Sequence, residues 1–251
     1  MYISQITNYE QNIQDEIIYY NDNFIKMKNN IIDNINYWKN SKQNNIMFTL
    51  ITGEKEVGKT SLAISTSSLD NDVGYNKIIS PKNLIGLDEY EIIKYIRRVF
   101  LEAYKYSYSI IVLDNIERII GYTKIGPQFS NKILQTILIL IKEPPPKNKK
   151  LFIFGTTSLN DEFRDLTDIN NSADLIFNIP LLEDYSINNI FDKYNFNEHE
   201  MKIFYNAFYR KKITIGKLLF IIEKINNYKL ENKINLITTE IFEKIINNIN
   251  L

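Results

Sequence analysis

Residues 53–60, Gly-Glu-Lys-Glu-Val-Gly-Lys-Thr, constrain the fold of this chain more than any other stretch. They follow a continuous apolar and β-branched run at 46–52 and precede a helical pattern through Ser61, Leu62, Ala63 and Ile64. Such a run reads as a strand buried on both faces of a parallel sheet. Gly53 and Gly58 permit turns that a side chain would obstruct, so successive N–H groups can converge on phosphate, and the helix opening at Lys59 adds its positive dipole end. In this reading Gly53, Glu54, Lys55, Glu56, Val57, Gly58, Lys59, Thr60 and Ser61 line a nucleoside triphosphate. Lys59 reaches the β- and γ-phosphates, and Thr60 ligates Mg²⁺. Glu54, Lys55 and Glu56 are tolerated because the backbone does the binding, and their side chains are expected in solvent. A plain glycine-containing connection is the competing reading, and the flanking strand and helix argue against it.

The same alternation continues along the chain. Residues 10–38 read as two helices broken near Asn21-Asp22-Asn23, and 75–79, 109–113, 151–154 and 175–179 read as strands. Ile92, Ile93, Ile96, Val99, Phe100 and Ala103 recur three and four apart, giving a helix with Glu91, Lys94, Arg98 and Glu102 outward. A further helix, 131–141, is closed by Pro144-Pro145-Pro146. Strands alternating with helices specify a three-layer α/β domain around a parallel sheet. After Pro180 the pattern is helical only, at 186–194, 198–208, 215–227 and 239–249. The expected organisation is therefore an N-terminal helical segment (1–40), an α/β nucleotide-binding subdomain (41–180) and a small all-helical lid subdomain (181–251).

A second motif completes the chemistry. Asp114 ends the apolar strand at the carboxyl edge of the sheet, where it can hold Mg²⁺ through water; capping a helix that starts at Asn115 is its plainer alternative. Asn115 itself has no useful proton affinity near neutral pH and cannot be a general base, so hydrolysis should be slow or absent. Glu117, two residues on, is expected to be a surface carboxylate pointing away. Leu84-Ile85-Gly86, after the second strand, reads either as a substrate-gripping loop or as a connection with a hydrophobic anchor.

Charge is balanced, 30 Lys+Arg against 30 Asp+Glu with a pI near 6.6, so no global field favours nucleic acid or an anionic membrane. The dense basic cluster Lys147, Lys149 and Lys150 follows three prolines and reads as a solvated loop. With no cysteine and one histidine, His199, placed between Glu198 and Glu200, disulfides, thiolate metal sites and cysteine nucleophiles are excluded. No apolar run approaches the roughly 20 residues that span a bilayer, and the start lacks a leader pattern. The chain reads as soluble and unprocessed, without direct membrane insertion, and the absence of cysteine is compatible with a reducing compartment such as the cytoplasm.

Taken together, 59–63 (Lys-Thr-Ser-Leu-Ala), 79–86 with Ser80-Pro81-Lys82 and Ile85-Gly86, 114–118 (Asp-Asn-Ile-Glu-Arg), 125–131 (Ile-Gly-Pro-Gln-Phe-Ser-Asn) and 154–158 (Phe-Gly-Thr-Thr-Ser) resemble the AAA+ family of P-loop NTPases. The resemblance is closer to the second ATPase domain of N-ethylmaleimide-sensitive factor, the vesicle-fusing ATPase group, and runs from about 17 to 225. It implies a homohexamer that binds Mg-ATP at subunit interfaces and hydrolyses it poorly. It further implies a role in SNARE complex disassembly through a SNAP-type adaptor, with peripheral association to vesicle and Golgi membranes. By the same resemblance 53–60 is the Walker A loop, Asp114 the Mg²⁺ residue and Ser158 the sensor position, usually Asn in active domains. Ile17, Ile18 and Tyr19 match the segment that packs on adenine. Lys217 matches the cationic sensor of the lid helix, and Lys212 a lysine reaching a neighbour's nucleotide. No Arg occurs between Arg164 and Arg210, where active rings carry arginine fingers.

These features favour an ATP-binding assembly module. A working ATPase motor, with water activated by another group, is the alternative, and a DNA-associated AAA+ loader a distant third.

Overall fold

The computed structural model describes residues 22–41, 45–69, 72–123, 128–159, 161–194 and 196–247. Two compact units emerge. One comprises Lys26–Gly53 and Lys59–Ile179; among the described residues the other gathers 22–25, Glu54–Gly58 and 180–247.

The first unit is built on five parallel strands: β1 (Ile46–Thr52), β2 (Tyr75–Ile79), β3 (Tyr108–Leu113), β4 (Lys150–Thr157) and β5 (Leu175–Asn178), in the order β2-β3-β4-β1-β5. The central strands β3 and β4 are almost wholly buried, which is why they read as unbroken apolar runs rather than as alternating ones. Edge strands β2 and β5 carry a mixed pattern instead. This is the P-loop architecture expected: a parallel sheet between helices.

Helix α1 (Asp22–Asn40) runs unbroken from its first described residue and buries Ile31, Ile35 and Trp38. The expected break near 21–23, and the helix before it, lie largely outside the described residues. Helix α2 (Lys59–Ser67) follows the phosphate loop, with Leu62 and Ala63 fully buried. Helix α3 (Glu89–Ala103) starts at a capping box in which the Asp88 carboxylate accepts from the Glu91 N–H at 2.8 Å and the Glu91 carboxylate accepts from the Asp88 N–H at 3.0 Å. Its Ile96, Val99, Phe100 and Ala103 face the core as their spacing requires. Short helices α4 (Ile116–Ile119), α6 (Asp161–Leu166) and α7 (Ile169–Ser172) flank α5 (Asn131–Leu140) in chain order.

Strand β4 extends three residues beyond its expected end at 154. Thr156 and Thr157 continue the ladder opposite Ile51 and Thr52, since β-branched threonines suit a pleated surface as well as valines do. Within β4, Gly155 makes room for two neighbours: a Cβ there would stand 2.8 Å from Ile116 Cδ1 and 2.8 Å from Phe48 Cε2. The absence of a side chain lets both pack against the strand.

The second unit holds α8 (Asp184–Lys193), α9 (Glu198–Phe208), α10 (Ile215–Asn232) and α11 (Thr239–Asn247). Phe191, Phe204, Phe208 and Phe242 form its aromatic centre, with Phe191 and Phe204 stacked at 4.5 Å between ring centroids. A buried carboxylate ties these helices together. Glu200, 1% exposed, accepts from the Ile237 N–H at 2.8 Å, the Asn197 N–H at 3.2 Å and the Lys229 ammonium at 2.7 Å. No helix among the described residues is long and apolar enough to cross a membrane.

Two stability predictions follow from this packing. Gly155→Ala should lower unfolding free energy by about 1–3 kcal/mol through overpacking. Glu200→Ala, which strands the Lys229 charge and two backbone donors, should cost about 3–5 kcal/mol. Chemical denaturation followed by far-UV circular dichroism measures both, and Phe191 packing can be tracked alongside to assign the second loss to the helical unit.

Candidate nucleotide-binding site

The phosphate loop is shaped by positive backbone angles. Gly53 has φ 142° and Gly58 φ 97°, conformations that suit residues without a Cβ, and Glu56 joins them at φ 63°. Glu54, Lys55 and Glu56 are exposed, as expected, while Val57 is buried. Lys59 is 5% exposed and its ammonium donates to the Gly53 carbonyl at 3.1 Å, so the side chain folds back across the loop. Within the helical unit, to which the loop interior belongs, the Gly216 N–H donates to the Glu56 carbonyl at 2.9 Å. A Cβ on Gly216 would lie 2.7 Å from Glu56 Cβ, so the approach requires glycine.

Asp114, 7% exposed, is the hub of a hydrogen-bond cluster at the ends of β3 and β4. Its Oδ1 accepts from the Thr60 hydroxyl at 2.6 Å and from the Thr156 hydroxyl at 2.9 Å; its Oδ2 accepts from the Asn115 side-chain amide at 2.9 Å. The Thr156 hydroxyl in turn accepts from the Asn115 N–H at 2.8 Å. Asn115 adopts a left-handed conformation, φ 56° and ψ 63°, which asparagine tolerates better than most residues because its short amide bonds locally. The position therefore does more than lack a carboxylate. Its amide donor is committed to Asp114, an interaction that a glutamate could not make.

Glu117 corrects the sequence reading. It is buried, 7% exposed, rather than a surface carboxylate, and its Oε1 accepts from the Ser158 N–H at 3.1 Å. Helical spacing from Asn115 pointed it outward, but α4 lasts a single turn and folds against the end of β4. The apolar residues around it, Ile116, Ile119 and Ile120, all buried, were the available signal. Thr156 was also missed. Its signal lay in two-residue alternation, which places it on the face shared with Ser158.

The structure thus brings Thr60, Asp114 and Asn115 into one cluster with Thr156, holds Lys59 to the start of the loop at the Gly53 carbonyl, and pairs the Ser158 N–H with Glu117. Ser61 is half-buried on α2. Lys217 occupies the first turn of α10 in the helical unit, with its N–H on the Thr214 hydroxyl at 3.3 Å, and Lys212 pairs with Glu183 at 3.4 Å. Ile17, Ile18, Tyr19 and residues 125–127 lie outside the described residues. In the chain's second candidate loop Leu84 is buried while Ile85 is 82% exposed, so the anchor and the contact residue are neighbours. The basic cluster is partly consumed: Lys150 donates to the Trp38 and Ser41 carbonyls, and burial lowers its pKa. His199 is exposed.

Thr60 and Asp114 offer two hard oxygens 2.6 Å apart at the mouth of a phosphate loop, a donor set that fits Mg²⁺. Among the described residues no three His, Cys, Asp or Glu side chains gather to hold a metal by themselves, so this pair would share the ion with phosphate and water. In that role the Thr60 hydroxyl would offer the ion a lone pair and Asp114 would hold its waters, and the ion would offset phosphate charge.

Comparison with known proteins agrees with this geometry. The family model described as "ATPase family associated with various cellular activities (AAA)" matches residues 49–181, more than half of the chain. The chain is 38% identical over 164 residues to a vesicle-fusing ATPase of Arabidopsis thaliana, covering 65% of this chain and 22% of that protein. It is 32% identical over 239 residues to the vesicular-fusion protein SEC18 of Candida albicans, covering 93% and 30% respectively. A vesicle-fusing ATPase of Dictyostelium discoideum is 32% identical over 231 residues, covering 88% and 31%. The chain thus spans under a third of the length of each of these relatives. With this family match laid over a parallel sheet whose first strand runs into the 53–60 loop, the chain belongs to the AAA family of ATPases and is homologous to the vesicle-fusing ATPases.

Proposed function

We propose that this chain is an ATP-binding assembly module of the kind represented by the second ATPase domain of N-ethylmaleimide-sensitive factor. It holds Mg-ATP at the interfaces of a homohexamer and hydrolyses it weakly or not at all. The observation that carries this reading is Asn115: a residue without a carboxylate occupies the usual glutamate position, and its amide is spent on Asp114. General acid–base catalysis contributes typically about 10²–10⁴-fold, so its loss leaves a site able to retain ATP. Ser158 at the sensor position and the lack of arginine between Arg164 and Arg210 support the same reading.

In this mechanism the loop N–H groups and Lys59 bind the phosphates, while Thr60 and Asp114 hold Mg²⁺. Lys217 and Lys212 add cationic contacts that retain phosphate, Ile18 packs on adenine, and the whole of 53–61 lines the ligand. Binding to the assembled state alone would stabilise the ring by mass action. The relatives' names support a role in vesicle fusion, and the resemblance extends the proposal: the module works in the cytoplasm, at vesicle and Golgi membranes, where SNARE complexes reach the hexamer through a SNAP-type adaptor.

Lys59→Ala should abolish ATP binding by calorimetry and, with it, hexamers seen by sedimentation in Mg-ATP; hexamers that persist in this variant would sink the assembly mechanism. Asn115→Ala should weaken ATP binding about fivefold in Mg²⁺, the worth of about one hydrogen bond, and leave binding in EDTA unchanged. Turnover of the wild-type chain should fall on the order of a hundredfold below the roughly 1 s⁻¹ floor of typical enzymes, measured by phosphate release.

A further inference from the structure

Glu117 has a job that the stability of its own helix does not explain. Its Oε1 accepts the Ser158 N–H at 3.1 Å, whereas its Oε2 is buried without a hydrogen-bond partner among the described residues. A carboxyl group held in the interior with one oxygen unpartnered among the described residues is unfavourable, and the one hydrogen bond it makes lies outside its own helix. The position makes sense through what the bonded oxygen holds. Ser158 stands directly after β4, two residues beyond Thr156, whose hydroxyl reaches Asp114 at 2.9 Å. Its backbone is pinned by the hydrogen bond to Glu117, yet its half-buried hydroxyl makes no hydrogen bond among the described residues. An anchored backbone with an uncommitted hydroxyl, next to the residues that would hold metal and phosphate, is arranged to read a ligand.

We propose that Glu117 is a positioning residue: through the Ser158 amide it places the Ser158 hydroxyl on the terminal phosphate of a bound nucleoside triphosphate, and so gives the site its preference for triphosphate over diphosphate. The inference rests on the reading that the 53–60 loop binds ATP. Asn115 and Glu117 then divide the work at the end of β3. The first fixes the metal-side aspartate and the second fixes the hydroxyl beyond it.

Calorimetric titration of the full chain with Mg-ATP and with Mg-ADP tests this. In wild type ATP binds more tightly than ADP. Glu117→Leu, which removes the acceptor, and Ser158→Ala should each lower ATP affinity about fivefold to tenfold with ADP affinity unchanged, and the double variant should lose no more than either single one. Glu117→Gln keeps an acceptor for the Ser158 amide and should keep the ATP preference. An undiminished ATP preference in Glu117→Leu, an equal loss for both nucleotides, or additive losses in the double variant would each overturn the proposal. Should Glu117→Leu not fold, Ser158→Ala decides together with amide exchange in wild type. A collapse of the preference with stronger Ser158 protection under ATP than ADP supports the proposal, and an unchanged preference or equal protection refutes it. A wild-type chain that binds neither nucleotide would refute the ATP-binding reading itself, an outcome distinct from any change confined to the variants.

Discussion

Strand β4 pairs in parallel with β1 on one side and β3 on the other, and that double pairing sets where each functional group stands. The registers align Thr52 with Thr157 and Leu113 with Gly155, so the phosphate loop, the Asp114 end of β3 and the Thr156–Ser158 end of β4 emerge at one edge of the sheet. A parallel ladder makes this outcome unavoidable, because all strands point the same way and their carboxyl ends share an edge. Gly155 maintains the arrangement. Without its missing side chain, Phe48 and Ile116 could not close on β4, and the turn carrying Glu117 would be pushed from Ser158.

The two carboxylates at this edge are handled differently. Asp114 receives three side-chain donors, two hydroxyls and an amide, each from a different segment. Removing one leaves the others in place, so the carboxylate keeps its orientation. Among the described residues Glu117 receives a single backbone donor and keeps one oxygen unsatisfied. Glu200, in the helical unit, shows what a carboxylate placed for stability looks like, with an ammonium and two N–H groups around it. The contrast between Glu117 and Glu200 separates a group that positions a ligand-reading residue from one that staples helices together.

Much of the architecture was legible in advance because it depends on patterns that local chemistry enforces. The buried strands show as apolar runs, α3 as a three-and-four repeat with an Asp88–Glu91 cap, and the phosphate loop as glycines between a strand and a helix. What was misread depended on distant partners. Glu117 looked solvent-facing because its helix was imagined as continuing, whereas one turn of helix leaves side-chain direction to the strand it meets. Thr156 looked like the tail of a strand already ended, and only its pairing with Ile51 carries the ladder far enough to bring its hydroxyl to Asp114.

The sequence by itself determined the parallel α/β sheet, the phosphate loop and the loss of a carboxylate at Asn115, since each is written in contiguous residues whose spacing and functional groups leave few alternatives. Tertiary structure alone decided that the Asn115 N–H meets the Thr156 hydroxyl, that this hydroxyl reaches Asp114, and that Glu117 turns inward to Ser158. Those contacts join residues about 40 positions apart, and a hydrogen bond of that kind exists only once β3 and β4 lie side by side.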